Sequence, residues 1–240
     1  MAKLCKDQRE GLVAKLTAFF KGLTVEEIDD VVTEARQQAT VETVQERKNG
    51  FAKLFDSQME ALKSRGCPQA IMEAFSNQRD AVLSKAAEME IPEEHIPFVP
   101  VIPRTCMGIY GLMPMVRNGD KVGYTYLDPN EIIDQVETPK NPYFIYDVED
   151  GKDMVGKSPE KAEKLITEQK RSCLTVDEGI AVCIHTNVLS EHYVDCTGSR
   201  YPHADLVPDV YLDDDKPLLD WSYFGSSNDK WGSASCRSRV

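Results

Sequence analysis

A glycine-rich run near the middle of the chain has the spacing of a phosphate-binding loop. The run Gly151-Lys-Asp-Met-Val-Gly156-Lys157-Ser158 matches G-x-x-x-x-G-K-[ST], and it lies between a predicted strand and a predicted helix. In such a loop the backbone N–H groups bind phosphate, Lys157 reaches the terminal phosphates, and Ser158 binds Mg²⁺ with Asp213 or Asp214 as a second ligand. A P-loop-like nucleotide-binding protein is therefore one hypothesis for this chain.

Three features of the same region oppose nucleotide binding. Glu149, Asp150 and Asp153 place carboxylates in or beside a loop that would have to attract a polyanion. Pro159 follows Ser158 directly, which favours an ordinary helix N-cap at the serine. Downstream, the sequence predicts one hairpin instead of the alternating strands and helices of a parallel nucleotide-binding sheet. The run is thus better explained as a turn followed by a capped helix.

Thiols and imidazoles are the second group of residues that could do chemistry. Five of them stand in one short stretch: Cys183, His185, His192, Cys196 and His203. Their spacings match none of the usual zinc-ligand patterns, so we predict no metal site and no cofactor. A thiol nucleophile, Cys196 or Cys236, beside one of these histidines would make a Cys/His-dependent hydrolase, which is a further hypothesis. The spacing assigns no catalytic residue.

Both tryptophans of the chain lie near its C-terminal end, in a region rich in glycine and serine. Two large rings in an exposed tail would leave much apolar surface in water, so we expect the tail to fold back over a sheet edge or a pocket. In this prediction Trp231 anchors the tail, and Arg200 donates hydrogen bonds to its backbone. The candidate ligand-binding residues are Arg200, His203, Trp221, Trp231 and Cys236.

Composition and charge limit the classes of partner. The chain has 240 residues, with 28 Lys and Arg against 40 Asp and Glu, and its formal net charge is -12. This acidic balance disfavours nucleic acid, because neutralising phosphates requires a local excess of Lys and Arg. The sequence predicts neither a signal peptide nor a membrane span. The seven cysteines are scattered and lack a C-x-x-C pair, which is typical of reduced thiols in a cytoplasmic protein.

The first part of the chain has a helical period and must supply a scaffold. Apolar residues three and four positions apart predict two helices before residue 40, the second with a capping box at Thr24 and Glu27. A third helix is predicted over about 41–65 and is ended by Gly66, and a fourth begins at Pro68. Four antiparallel helices with short connections would form a bundle.

Residues 91–240 predict a mixed domain. Prolines and apolar residues in 91–103 indicate an extended segment that docks against the C-terminal part instead of a free linker. Beyond it the sequence predicts strands at 123–128 and 143–149, helices at 158–170 and 175–185, and a hairpin from 210 to 224. The fold class is therefore α+β, with an N-terminal helical bundle (1–90), a docked connector (91–103) and an α+β domain (104–240) that holds a small mixed or antiparallel sheet.

Several short blocks stand in order along the second part: Leu174-Thr-Val-Asp-Glu-Gly-Ile-Ala181, Gly198-Ser-Arg200, Val207-Pro-Asp-Val-Tyr-Leu212, Pro217-Leu-Leu-Asp-Trp221 and Trp231-Gly-Ser-Ala-Ser-Cys236. With them the region from about residue 101 to residue 240 resembles an uncharacterised bacterial family known as a domain of unknown function. In that family Trp-Ser-Pro often stands where this chain has Lys157-Ser158-Pro159, so the resemblance implies a shared helix cap without the phosphate-loop residues. It implies no catalytic residue, cofactor or partner.

Together these observations favour a soluble, cytoplasmic, non-catalytic module that binds a protein or a small ligand. The P-loop-like nucleotide-binding protein is the alternative, and the Cys/His-dependent hydrolase is third. An enzyme requires reactive groups in a specific constellation, and none of the groups above has the spacing of one.

Overall fold

The computed structural model describes residue 21 and residues 25–240. Seven α-helices lie in these residues: α1 (Val25–Ser64), α2 (Gln69–Ser76), α3 (Arg79–Glu88), α4 (Arg104–Met107), α5 (Ile109–Leu112), α6 (Pro159–Glu168) and α7 (Val176–His185). Short 3-10 helices lie at Met113–Met115, Pro129–Glu131, Lys152–Met154 and Val188–Ser190. Within the described residues we find no helix with the combined length and apolarity that crossing a bilayer requires.

The N-terminal helices differ from the prediction in number. Val25–Ser64 is one helix of 40 residues, whereas the sequence predicts a break near residue 40. That prediction is wrong because the stretch contains no proline, so every residue at the expected junction keeps its backbone donor. The first predicted helix and the Thr24 side of the capping box lie outside the described residues, and the four-helix bundle stays a prediction.

The end of α1 is confirmed, but the predicted fourth helix is interrupted. Gly66 has a φ of 83°, and the N–H of Cys67 donates to the Leu62 carbonyl group at 3.0 Å, which is the hydrogen bond of a Schellman C-cap. After it, α2 and α3 replace one longer helix. The side chains of Ser76 and Gln78 donate to carbonyl groups of the preceding turn and compete with continuation of the helix.

By its contacts the chain divides into two compact units, residues 1–47 and residues 48–240. In the second unit, helices and strands share one hydrophobic core. The ring of Phe144 stacks on Phe55 at 5.7 Å and meets Phe75 edge-on at 5.3 Å. Phe98 contacts the same ring at 6.0 Å, so strand and helix residues are packed together. The predicted domain limit at residue 90 stays a prediction.

The strands are short and numerous. In the described residues they are β1 (Ile96–Val101), β2 (Arg117–Asn118), β3 (Lys121–Val122), β4 (Tyr124–Thr125), β5 (Ile133–Asp134), β6 (Tyr143–Val148), β7 (Ser172–Cys173), β8 (Tyr193–Asp195), β9 (Ser199–Arg200), β10 (Leu206–Asp213), β11 (Lys216–Tyr223), β12 (Trp231–Ser233), β13 (Ser235–Cys236) and β14 (Ser238–Arg239). A five-stranded sheet has the order β12-β8-β10-β11-β4, and a three-stranded sheet has the order β1-β6-β14. The larger sheet is mixed, since β4 and β12 are parallel to their neighbours while β10 is antiparallel to both of its own.

The elements predicted for the C-terminal part are present, but the strand predicted at 123–128 is only Tyr124–Thr125, and the ends of the others are shifted. The proline-rich segment forms β1, which pairs with β6. The predicted hairpin is β10 and β11, turned by Asp214 and Asp215, whose φ values of 48° and 62° are ones that aspartate tolerates. Ser158 caps α6, and Thr175 with Glu178 forms the capping box of α7. Helices and several sheets together confirm an α+β fold.

The C-terminal tail folds back onto the sheets, as predicted, but a different arginine anchors it. β12 pairs with β8, and β14 pairs with β6. The guanidinium of Arg239 lies 2.6 Å from the carboxylate of Glu178, which is fully buried. The predicted hydrogen bonds from Arg200 to the tail are wrong, because its guanidinium donates to the carbonyl groups of Thr197 and Ser199 instead.

Candidate functional site

The five-stranded sheet has two unlike faces. Val194 of β8 lies opposite Val210 of β10, which lies opposite Leu219 of β11, and all three belong to the hydrophobic core. Helix α7 contacts β10 there. Because side chains alternate along a strand, the residues next to these three point to the opposite face. On that second face the sequence places acidic and aromatic residues.

Three aspartates form a row across the second face. Asp195 of β8 lies directly opposite Asp209 of β10, and Asp209 lies directly opposite Asp220 of β11. Ser233 of β12 continues this aspartate row beside Asp195. Asp195 is 1% exposed and Asp209 is 2% exposed. Two neighbouring buried carboxylates repel each other strongly when both are ionised.

The surroundings of the aspartate row favour the protonated form. Burial raises the pKa of Asp195 to about 7, although the hydroxyl groups of Ser233 and Ser222 lower it. Burial and the nearby Asp195 carboxylate raise the pKa of Asp209 well above its ordinary value. Among the described residues, neither carboxylate oxygen of Asp195 has a hydrogen-bond partner of ordinary geometry. The row therefore favours retention of a proton, and it contains carboxylate oxygens without a hydrogen bond of ordinary geometry.

Aromatic rings stand beside the aspartate row on the same face. Trp231 of β12 packs edge-to-face against Tyr193 of β8, with ring centroids 4.7 Å apart. Tyr211 of β10 lies 5.9 Å from both rings. Burial and the Asp220 carboxylate raise the pKa of Tyr211 to about 12, so its hydroxyl group stays protonated. The face thus combines unused carboxylate oxygens with flat apolar surface.

A cavity of about 260 Å³ opens at this face. We call it the aspartate cavity, and its lining residues are Asp195, Trp221, Ser222, Tyr223 and Trp231 from the sheet, with Lys157, Pro159, Ser226, Ser227 and Asn228 around them. Trp221 is 38% exposed and meets Tyr223 edge-on at 5.7 Å. Trp221 and Tyr223 stand at β11 positions that point to the other face of the sheet, so among the aromatic residues of the lining Trp231 is the one that shares the face of Asp195. One buried carboxylate, several hydroxyl groups and this ring in one concave place have the composition of a small-ligand site.

The backbone N–H groups of residues 151–157 in the glycine-rich run all donate within the protein. The Glu149 carboxylate accepts from Gly151 and Asp153, both at 3.0 Å, and the Asp150 carboxylate accepts from the residue between them. The N–H groups of residues 154–157 donate to backbone carbonyl groups. Phosphate recognition by such a loop requires free N–H groups, and in this fold these donors are occupied.

The side chains of the run are also bound within the protein. Lys157 donates through Nζ to the Asp153 carbonyl oxygen at 2.5 Å. Ser158 accepts from a backbone N–H of the first turn of α6. Asp213 lies at the hairpin end of β10, where it accepts a hydrogen bond from the Tyr124 hydroxyl group at 2.8 Å. The structure thus gives each of these three residues a structural role.

The two glycines of the run permit a close approach to β12. Gly151 has a φ of 109°, and a Cβ atom on it would lie 2.6 Å from the carbonyl oxygen of Gly232. Gly156 has a φ of 80°, and its N–H donates to the Trp231 carbonyl group at 3.0 Å. The run therefore packs backbone to backbone against β12. It fixes the position of Trp231 in the wall of the aspartate cavity.

The five residues proposed from the sequence as a ligand site are not all in one place. Trp221 and Trp231 both line the aspartate cavity. Arg200 lines a different groove, beside α6. Cys236 is fully buried in β13, and His203 is exposed in the turn before β10. The fold brings together the two tryptophans and adds Asp195 to them.

Most of the thiols and imidazoles singled out from the sequence are buried. Burial raises the pKa of the Cys183 and Cys196 thiols, and both are buried in the core. Burial, with the Arg65 charge nearby, lowers the pKa of His185 to about 3. Burial also lowers the pKa of His192. Over the described part of the chain, no group of three or more His, Cys, Asp or Glu side chains has an arrangement that could hold a metal ion.

The aspartate row is not predicted from the sequence alone. Its signal is an acidic residue at an inward position of an otherwise apolar strand, as in Tyr193-Val-Asp195 and Val207-Pro-Asp209-Val. A carboxylate in such a position is costly to bury, so it marks either an ion pair or a site. Which of the two applies depends on the residues opposite, and these are known only once the strand register is known.

Residues 53–240 match the family described as "Family of unknown function (DUF5701)", and the chain belongs to this family. The match confirms the resemblance noted from the sequence blocks and extends it towards α1. It includes every residue of the aspartate row and the aspartate cavity. No curated protein and no solved structure matches the chain.

Proposed function

We propose that this member of the DUF5701 family is a non-catalytic protein that binds a small ligand in the aspartate cavity. The observation that carries the proposal is the state of Asp195. It lies in the cavity wall, is 1% exposed, and has no ion pair and no hydrogen bond of ordinary geometry to either oxygen within the described residues, although the Ser233 and Ser222 hydroxyl groups lower its pKa. A buried acceptor left unpaired costs about 1–3 kcal/mol, and a ligand that donates to it removes that cost.

The size and walls of the cavity indicate what kind of ligand fits. Its volume of about 260 Å³ lies below the range of roughly 300–1,000 Å³ that holds drug-sized molecules. A single ring with a short substituent is of suitable size. Trp231 supplies flat apolar contact on the face of Asp195, while Ser222 and Asn228 supply hydrogen-bonding groups.

The hydrolase hypothesis has less support. Cys196 and Cys236 are each 0% exposed, and burial raises the pKa of Cys236 to about 12. The nucleophile in thiol chemistry is an accessible thiolate. Both candidate thiols are therefore protonated and enclosed at neutral pH.

The nucleotide hypothesis also has less support. Its loop would have to exchange hydrogen bonds to Glu149 and Asp150 for bonds to phosphate, close to the charge of Asp153. We assign the glycine-rich run to the positioning of Trp231 instead.

The proposal includes the cytoplasmic setting expected from the sequence. The six cysteines in the described residues are free thiols. Such thiols persist in a reducing compartment.

Both tryptophans of the chain line the aspartate cavity, which makes a direct test possible. In a ¹⁵N-labelled sample, two indole N–H signals report on this cavity, and Trp221→Phe and Trp231→Phe assign them. We expect a single-ring probe at millimolar concentration to shift both signals, with benzylamine, benzyl alcohol and benzoate as the first probes. Unchanged indole signals with all three probes and with a wider set of single-ring compounds would contradict the proposal.

A further inference from the structure

We propose that the ligand of the aspartate cavity is a small organic cation. Its nitrogen would bind Asp195, and its carbon skeleton would lie against the ring of Trp231, which shares the face of Asp195. This inference rests on the proposed function and names the charge class of the ligand.

The other buried acids show how this protein treats a carboxylate in its interior. Three of them face a guanidinium group: Asp147 faces Arg171 at 3.2 Å, Asp177 faces Arg104 at 3.3 Å, and Glu178 faces Arg239 at 2.6 Å. A fourth, Glu149, accepts two backbone N–H groups. Asp195 and Asp209 are as deeply buried as these, yet neither has an ion pair with any described residue. Asp195 and Asp209 thus lack the guanidinium partner that Asp147, Asp177 and Glu178 each have.

A bound cation would supply that charge. An ammonium group offers three donors to the unused oxygens of Asp195, and its charge offsets the repulsion between Asp195 and Asp209. The faces of tryptophan and tyrosine rings attract cations. An anion would be repelled by the ionised carboxylates of the aspartate row. Lys157 also lines the cavity, but its ammonium group donates to the Asp153 carbonyl oxygen.

An organic cation fits this cavity better than a metal ion does. Hard metal ions require several oxygen ligands around one point, and no group of acidic side chains among the described residues has that arrangement. Besides Asp195, the cavity is lined by serine, asparagine and aromatic residues with Pro159 and Lys157 and, within the described part of the chain, by no second carboxylate. Rings contact the carbon skeleton of an amine and leave its nitrogen for the carboxylate.

Binding of a cation must compete with the protons of the aspartate row. The titratable groups that face Asp195 are Asp209 and Asp220 on the neighbouring strands, with the Tyr211 hydroxyl beside them and Lys157 at the cavity wall. Since the pKa of Asp195 lies at about 7, a cation that binds its carboxylate displaces a proton near neutral pH. Affinity should therefore rise from pH 5 to pH 7, by about tenfold per pH unit for each proton released.

Isothermal titration calorimetry with benzylamine tests the inference, and benzyl alcohol is the neutral control of the same shape. We expect benzylamine to bind with proton release, measured as a dependence of the heat on the ionisation enthalpy of the buffer. Benzyl alcohol should bind about tenfold more weakly or worse, because it lacks a charge-assisted hydrogen bond. Asp195→Asn should abolish the preference for benzylamine over benzyl alcohol. Asp229→Asn removes an exposed charge from the loop beside the cavity and should keep this preference.

The outcomes separate this inference from the proposed function. If benzyl alcohol or benzoate shifts the indole signals and binds as tightly as benzylamine, the cavity is a ligand site but the cation inference is wrong. Benzylamine binding without proton release from pH 5 to pH 7 would also overturn the inference. Should Asp195→Asn fail to fold, the comparison of benzylamine with benzyl alcohol on the wild-type chain still decides. If no probe shifts the indole signals, the proposed function itself fails.

Discussion

Gly151 and Gly232 touch through their backbones. A Cβ atom added to Gly232 would lie 2.0 Å from the carbonyl oxygen of Gly151, and one added to Gly151 would lie 2.6 Å from the carbonyl oxygen of Gly232. The first glycine belongs to the phosphate-loop-like run, and the second follows Trp231 in β12. The spacing that resembles nucleotide binding therefore builds a contact that holds one wall of the aspartate cavity.

Replacing Gly232 with alanine should destabilise the protein by about 2 kcal/mol or more, because overpacking against a rigid backbone forces the two segments apart. Denaturant unfolding measures the effect. Gly225→Ala is the matched control, since a Cβ atom there meets nothing within 4 Å. Equal stability of the two variants would show that the contact between Gly151 and Gly232 is not close in solution.

The stability of the protein should depend on pH through Asp195. Its folded pKa of about 7 lies above the value near 3.9 expected for an unfolded chain, so the folded state binds more protons between these values. The Asp195 contribution is thus fully present below about pH 4 and is lost as the pH rises through about 7.

Asp195→Asn should remove this loss. We expect the variant to melt several degrees above the wild-type protein at pH 8, with the difference shrinking towards pH 4. Melting temperatures across that range, with Asp229→Asn as the exposed control, measure it. The melting-temperature difference between the variant and the wild-type protein should be more positive at pH 8 than at pH 4. The opposite order would contradict a raised pKa at Asp195.

The tail should depend on the ion pair of Arg239 with Glu178. Arg239→Met leaves a carboxylate that is 0% exposed without its cation, and breaking a buried pair in this way costs about 3–5 kcal/mol. Arg237→Met is the control, because the Arg237 side chain is 55% exposed and its ion pair with Asp147 spans 3.8 Å. Chemical denaturation of both variants gives the two costs. If both variants lose a similarly small amount of unfolding free energy, Arg239 does not anchor the tail.

ATP or GTP with Mg²⁺ should leave the melting temperature unchanged, because the N–H groups of residues 151–157 already donate within the protein. A nucleotide at 100 times its dissociation constant would add about 2.7 kcal/mol, which is readily seen in a thermal melt. A rise that Lys157→Ala abolishes and the neighbouring exposed Lys161→Ala preserves would restore the nucleotide hypothesis.

Local signals account for the parts of the fold that the sequence predicts. The capping box at Thr175 and Glu178, the N-cap at Ser158 and the turn between β10 and β11 are each encoded by a few adjacent residues. The register that places Asp195 opposite Asp209 is set by tertiary packing between distant segments. For that reason the sequence identifies Trp221 and Trp231 as ligand-site candidates but does not identify the aspartate row between the same strands.

The most direct measurement is a crystal structure of the protein with benzylamine at pH 8. The account predicts the benzylamine nitrogen within about 2.7–3.2 Å of an Asp195 carboxylate oxygen, with its ring against Trp231. An empty aspartate cavity at a benzylamine concentration that saturates the calorimetric titration, or benzylamine bound elsewhere on the protein, would contradict it.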